Sequence, residues 1–522
     1  MIREISRRKC LRLWLCKPEY MERTKWENRF VRLRFRKKNY MMFLKDLKRY
    51  KMERLYDKLK AYSESDFYAF HMPGHKRNKS LLGIELPYDL DITEIDGFDD
   101  LHHADGILKE EQERAARVFG AEESHFLVNG STAGILSAVM GCTRRGDKIL
   151  VARHCHKSIY HAIYMNGLVP RYVYPEFDIS MHMNGEISKE DVAKALEAEP
   201  DIKAVVIVSP NYDGVVSDVK GIAEVVHSYG IPLIVDEAHG PHFGFHPAFP
   251  ERANDLGADV VINSLHKTLP SLTQTAILHI NGKFANRRRI KKYLDMLQSS
   301  SPSYIFMASL DACVDFLDGK CGEAFELYVE RLQKFREELE PLQHLQILRT
   351  EHYDISKVVI STANANITSP ELADRLRKEY HLEMEMTGGT YVLAMTTVAD
   401  TQEGLDRLKA ALLEIDGQLE AKTAVSGSTE ISGELPRLEQ YFTPQEAADR
   451  EEDGEAEEIP WKESEGHISL EYAYLYPPGS PVIVPGERIS REAVELLCYY
   501  ETQNLQIEGI QTEGKIKVWK HE

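Results

Sequence analysis

The chain has 522 residues, is 43% hydrophobic and 28% charged, and carries a formal net charge of −18. That length supports several domains with a sizeable core, and an acidic body argues against a nucleic-acid partner. No uninterrupted apolar stretch is long enough to cross a bilayer, so no membrane partner is expected either.

The charge is unevenly spread. Residues 1–51 hold 18 Lys or Arg against 5 acids, with no cleavable apolar core after the first charges. Met52 reads as a natural start, and residues 1–51 are expected to be a disordered extension, a tail for nucleic acid or a membrane surface being the alternative. The seven cysteines show no CxxC pair or regular spacing. This is the usage of reduced thiols in a cytoplasmic protein, without a disulfide framework or a zinc site, and Cys155 is expected to be passive.

Residues 52–107 form an N-terminal segment. It contains FHMPGHKRN from Phe70 and an acidic stretch with Asp91, Glu94, Asp96, Asp99 and Asp100. Such acids are either solvated or line a pocket for a cationic substrate, where a carboxylate pairs with an ammonium or guanidinium. Asp91, Glu94 and Asp96 are the substrate candidates.

A large domain is expected over 108–320. Leu108 to Phe119 has helical spacing, Phe126-Leu127-Val128 reads as a strand, Asn129-Gly130 as a turn, and Ser131-Thr132-Ala133-Gly134 as the start of a helix reaching Met140. Small hydroxyl residues at a helix start suit an anion, although a plain N-cap explains Ser131 equally well. After the strand 146–151 come His154, His156 and His161. Their loop context supplies no metal-ligand spacing, so no metal is expected, and His156 suits stacking on an aromatic ring instead.

Strands at Ala204–Ser209, Ile231–Asp236 and Val260–Asn263 alternate with helical segments, which predicts a mostly parallel, doubly wound α/β sheet with ligands at the strand ends. Asp236 closes one strand, and Ser264, His266 and Lys267 follow another. An amine and an anion delivered this way are what a pyridoxal 5′-phosphate enzyme needs: the lysine to form a Schiff base, the carboxylate to keep the ring nitrogen protonated. Ala238 is small enough to lie under the ring, with His156 over it.

A small α+β domain is expected over 321–435. Its helices are Glu323–Leu339, Pro370–Tyr380 and Thr401–Ile415, and its strands Val358–Ile360, Glu383–Met386 and Tyr391–Met395. A flexible linker near 424–429 leads to a C-terminal domain over 436–522. There Glu446–Glu465 reads as a solvated helix and loop, and the prolines of Tyr474–Pro481 impose an extended chain.

The motifs FHMPGHK, TEIDGFDDLH, NGSTAG, HKSIYHA, SPNYDG, VDEAHG, SLHKTLPSLTQTA and YLYPPGSPVIVPGE, in that order from about Met52 onward, resemble the Orn/Lys/Arg decarboxylases of the aspartate-aminotransferase-like fold type I. The likeness is to the short bacterial form without a wing domain. It implies that Lys267 carries the cofactor, Asp236 holds the pyridine nitrogen and His156 stacks on the ring. Ser131, Thr132, Ser264 and His266 would contact the phosphate or its surroundings, and Ala133, Ala238 and His239 complete the cofactor set. Asn211 and Tyr212 would lie near the cofactor, and Glu471 near the substrate's distal cation. The resemblance further implies decarboxylation of a basic amino acid, first L-arginine to agmatine in polyamine biosynthesis, with lysine or ornithine as alternatives. Lys267 or His266 would return the proton to Cα, and sites would lie at the interface of a homodimer or higher oligomer. An aminotransferase of the same fold is the contrasting reading, disfavoured because Met384–Met395 holds no Arg to clamp an α-carboxylate.

Overall fold

Runs of β-branched residues buried on both faces need cover on both sides, and they form the central sheet of the protein. The structure, a computed structural model, describes residues 54–178, 183–421, 434–475, 479–502 and 505–520. The basic extension and the linker near 424–429 lie outside these. The strands in chain order are β1 (Glu123–Leu127), β2 (Lys148–Ala152), β3 (Val169–Val173), a short hairpin β4 (Phe177–Asp178) and β5 (Met183–Asn184), β6 (Val205–Val208), β7 (Leu233–Asp236), β8 (Val260–Asn263) and β9 (Ala276–Ile280). Seven of them form one sheet in the order β1-β9-β8-β7-β6-β2-β3. From β3 through β8 the pairs are parallel, while β9 runs antiparallel to both β8 and β1. The expected doubly wound α/β sheet is present.

Every residue of β6, β7 and β8 is buried. Ile135 and Val139 from the helix Gly130–Cys142, Ile159 and Ile163 from Lys157–Asn166, and Ile222 and Val226 from Val219–Ser228 complete this core. Each such aliphatic side chain contributes about 1.5–3 kcal/mol on burial.

Strand direction decides where the chemistry collects. The carboxyl ends of β2, β7 and β8 face one end of the sheet, where ligands of doubly wound folds bind. Because β9 is reversed, pairing Asn263 with Ile277 brings Thr273–Thr275 to that same end. Pairing Leu127 with Ala276 brings Asn129 and Ser131 there as well.

A second sheet, β10 (Gln346–Ile347), β11 (Lys357–Ser361), β12 (Met386–Thr387) and β13 (Tyr391–Met395), is antiparallel in the order β10-β11-β13-β12. The strand expected at Glu383–Met386 is shorter and shifted, because β12 lies at the sheet edge and Glu383 and Glu385 are exposed. In the C-terminal region the acidic stretch departs from the expected helix and loop. After the helix Pro444–Glu452, residues Ala456–Pro460 pair with Lys515–Trp519, where Lys515 and Lys517 lie opposite Pro460 and Glu458. This region is tied to the central sheet by Arg153, which donates to Glu487 at 2.9 Å and to the Val482 carbonyl at 3.0 Å, both charged side chains fully buried.

The helix Gly130–Cys142 sits close against the sheet through Gly134, where a Cβ would lie 2.6 Å from Leu127 Cδ1 and 3.4 Å from Ile262 Cγ2. Gly134→Ala is therefore expected to destabilise the fold by about 1–3 kcal/mol through overpacking. Thermal melting checks this, and an unchanged or raised midpoint contradicts the close approach.

Candidate active site

Lys267 sits in the one-turn helix Leu265–Thr268 that follows β8. Its Nζ lies 2.8 Å from His239 Nε2. Burial holds the amine below its ordinary value, helped by Lys357 and opposed by Asp236. That direction favours the neutral amine, whose free lone pair is what a nucleophile needs. Asp236, the last residue of β7, is 3% exposed and accepts the Ala238 N–H at 3.2 Å. Burial pushes its carboxyl up, against the pull of Lys267. The pair thus lies in a place that penalises both charges, and a cationic ring nitrogen beside Asp236 would supply what the carboxylate lacks. The ring of His239, itself held well below its usual range by burial and then by Lys267, leaves Nδ1 buried without a hydrogen-bond partner.

Around them lies a cleft of about 420 Å³, lined by Ser131, Thr132, His154, His156, Tyr212, Asp236, Ala238, His239, Ser264, His266, Lys267, Gln274 and Ser480 among others. At one end the helix Gly130–Cys142 begins. Its N-cap is Asn129, which makes no side-chain cap bond, so Ser131 is not the N-cap that one reading of the sequence allowed. Uncapped N–H groups there, with the Ser131 and Ser264 hydroxyls 2.5 Å apart, fit a phosphate.

His156 caps the helix Lys157–Asn166. Its Nδ1 accepts the Ser158 N–H at 3.2 Å, which puts the neutral ring's proton on Nε2. Burial and then Lys267 lower its pKa to about 4, so the imidazole lining the cleft is uncharged. His266 Nδ1 meets the Thr275 carbonyl at 2.8 Å and so carries the proton. Tyr212 packs on His239 with ring centroids 4.5 Å apart, and its hydroxyl donates to Glu385, next to β12 of the second sheet. Cys155 is fully buried with its thiol pushed well up by burial, the state of a passive thiol.

Several expected residues do not join this cleft. Ala133 is buried within its helix, and only its backbone is available to an anion. The Asn211 side chain is used by a turn, accepting from Gly214 N at 3.0 Å and Val215 N at 2.9 Å. None of Asp91, Glu94, Asp96 and Glu471 lines the cleft. Asp91 bonds His75 at 3.1 Å, Glu94 is half-buried and Asp96 is exposed, while Asp99 accepts the N–H groups of Gly106 and Leu108 at the start of a helix. Glu471 is 6% exposed and accepts from the backbone N–H of Gln511 and of Lys517, which makes it a structural carboxylate. Ser480, which lines the cleft, and Glu385, which does not line it but bonds the lining Tyr212, were not foreseen. Ser480 lies within a proline-rich motif whose composition signals extended backbone only, and its Oγ donates to the His154 carbonyl at 2.7 Å. Among the described residues no group of three or more His, Cys, Asp or Glu side chains is arranged to hold a metal.

Lys267 on its strand-end turn, Asp236 at the end of the neighbouring strand and the open helix N-terminus thus meet at the carboxyl end of the central sheet. The chain matches the Orn/Lys/Arg decarboxylase major domain over residues 53–421 and the C-terminal domain of the same family over 430–514, and it belongs to that family. It is 33% identical over 471 residues to an arginine decarboxylase of Bacillus subtilis (strain 168), covering 87% of this chain and 95% of that protein. It is 32% identical over 487 residues to an arginine decarboxylase of Bacillus anthracis, with 89% and 97% covered. Among solved structures it resembles the lysine decarboxylase LdcF of Francisella novicida, with TM-score 0.76 and 20% identity over 90% of this chain and 81% of that one. It also resembles the E. coli constitutive lysine decarboxylase, with TM-score 0.75 and 21% identity over 89% and 82%. At these identities the two structures bear on the fold alone.

Glu237, between Asp236 and Ala238, points into the core, where its carboxyl accepts from Ala253 N at 2.8 Å and Asn263 Nδ2 at 3.0 Å. Burial pushes its pKa from 4.5 to about 8. The folded state therefore keeps a proton that the unfolded chain releases above 4.5, and stability falls by about 1.4 kcal/mol per pH unit between those values. Glu237→Gln is expected to raise the melting temperature relative to the parent at pH 8 and not at pH 5. An equal difference at both pH values contradicts the buried, protonated state.

Proposed function

We propose that the protein is a pyridoxal 5′-phosphate-dependent decarboxylase that converts L-arginine to agmatine and CO2. The observation that carries this reading is the meeting of the Lys267 amine, Asp236 and the uncapped helix start in one cleft, in a chain similar to arginine decarboxylases over nearly its whole length. The cofactor, when bound, supplies the sink for the electron pair left as CO2 departs.

The chain's own residues do the rest. Lys267 carries the cofactor through its amine, and Asp236 keeps the ring nitrogen protonated. The N–H groups of the helix start, with Ser131, Thr132 and Ser264, bind the phosphate. His156, whose uncharged imidazole lines the cleft, and Ala238 would hold the ring. His266, whose proton is engaged by the Thr275 carbonyl, leaves Lys267 as the group that returns a proton to Cα. Glu385, oriented by the Tyr212 hydroxyl, is the carboxylate that meets the substrate's guanidinium, a role first assigned by sequence to Asp91, Glu94, Asp96 and Glu471.

The same reading includes a homodimer in the cytoplasm. Phe67, Tyr68, Phe70, Met72, Leu81, Leu82 and Ile84 are each more than half exposed within one short segment, a concentration of apolar surface that a second copy would cover. The five cysteines among the described residues are all free.

Incubation of the purified protein with cofactor and arginine, lysine or ornithine separately is expected to give agmatine fastest, read by product chromatography. Faster cadaverine or putrescine formation overturns the arginine assignment, and no amine from any of the three overturns the decarboxylase reading. Glu385→Gln is expected to raise KM for arginine about 10–100-fold, the loss of one charged hydrogen bond of roughly 1.5–3 kcal/mol, with a smaller change in kcat. An unchanged KM removes Glu385 from substrate binding.

A further inference from the structure

A second lysine lies beneath the first. Lys357 opens β11 with its side chain fully buried, and so is that of its partner Asp354. Burying such a pair costs several kcal/mol per ion, and apolar side chains of similar size would serve stability as well or better. Every polar atom in the cluster is nevertheless engaged. Lys357 Nζ donates to Asp354 Oδ2 at 2.8 Å, to Ser356 Oγ at 3.3 Å and to the His239 carbonyl at 3.4 Å. Asp354 Oδ1 accepts the Ser356 N–H at 3.0 Å and meets His242 Nε2 at 3.1 Å, while Oδ2 accepts the Ser356 hydroxyl at 2.8 Å. On the far side of the ring, His242 Nδ1 lies 2.9 Å from Thr268 Oγ1.

Two routes therefore run from Lys357 to the residue at the centre of the site. One passes through the His239 carbonyl, and the His239 ring meets Lys267 Nζ. The other passes through Asp354 and His242 to Thr268, the residue after Lys267. Room for the Lys357 stem depends on Gly214, which has φ +105° and where a Cβ would lie 2.8 Å from Lys357 Cγ. This gives the glycine of SPNYDG a role in the site that none of its own contacts with the cleft would suggest.

We propose that Lys357 is a positioning residue of the Lys267 site: a buried cation of the small domain that holds residues 239–242 and Thr268 so that the His239 imidazole meets the Lys267 amine. The inference rests on Lys267 being the functional amine. Its electrostatic sense agrees with the geometry, since Lys357 is among the groups that hold Lys267 and His239 down. The other groups that act on Lys267 or feel its charge are Asp236, Glu385, His156, His239 and His266.

The test follows acylation of Lys267 against pH in the full-length, cofactor-free chain, located by peptide mass spectrometry, so that neither cofactor binding nor turnover enters the readout. In Lys357→Met the amine loses a neighbouring cation and its fixed partner, so its titration moves up by about one unit and labelling at a fixed pH below it falls about tenfold. Lys357→Arg, which keeps the charge and donors, is expected to restore most of the parent profile. Thr268→Val breaks only the last link and leaves the ion pair intact, so it keeps the question open to measurement if Lys357→Met does not fold. It too is expected to shift the profile upward. Lower melting temperature with an unmoved Lys267 profile in the folded variants gives Lys357 a purely structural role and overturns the proposal. Failure of the decarboxylase reading would appear in the product assay and leave this profile unaffected.

Discussion

Lys267 and Asp236 are buried together at the end of the central sheet, and each is held away from its charged form by the same loss of water. An apolar pair would be cheaper, and a solvated pair would be ordinary lysine and aspartate. The arrangement of the protein around that pair consists largely of the means of keeping it there. Parallel strands β7 and β8 deliver the two residues side by side, and the reversed β9 closes the sheet so that the helix Gly130–Cys142 begins at the same end. The C-terminal region contributes Ser480, and the edge of the second sheet places Glu385 against Tyr212. In free-energy terms, packing of the sheet and its helices stabilises the fold, and the site spends part of that stability on buried polar groups.

The centre of the site was legible in the sequence because it depends on local pattern. A continuous apolar run ending in Asp236, and another followed by Ser264, His266 and Lys267, place those side chains at strand ends whatever the rest of the chain does. The fold class followed from the same alternation of strands and helices. Ser131 was legible at a helix start, although it proved to lie inside an uncapped first turn, while His156 was read in a loop and proved to cap the next helix.

What was not legible depends on pairing between distant segments. The acids of residues 91–96 and Glu471 announce negative charge, but charge alone does not distinguish a ligand for a substrate from one for the backbone. Glu471 meets amides 40 and 46 residues further along the chain. Glu385 reads as the exposed face of a strand until Tyr212, 173 residues away, is found beside it. Lys357 looks like an ordinary lysine at the start of a strand, and its one local signal is Asp354 three residues earlier. The acidic stretch 456–460 is a strand paired with a segment near the other end of the C-terminal region, which no local pattern announces.

Lys267, whose amine burial pushes toward the neutral form beside Asp236, is proposed as the lysine that bonds the cofactor. Borohydride reduction of the protein after incubation with pyridoxal 5′-phosphate, followed by peptide mapping, tests it directly. A single pyridoxyl-phosphate adduct, on Lys267, is expected. An adduct on Lys357 or any other lysine with Lys267 unmodified would contradict it.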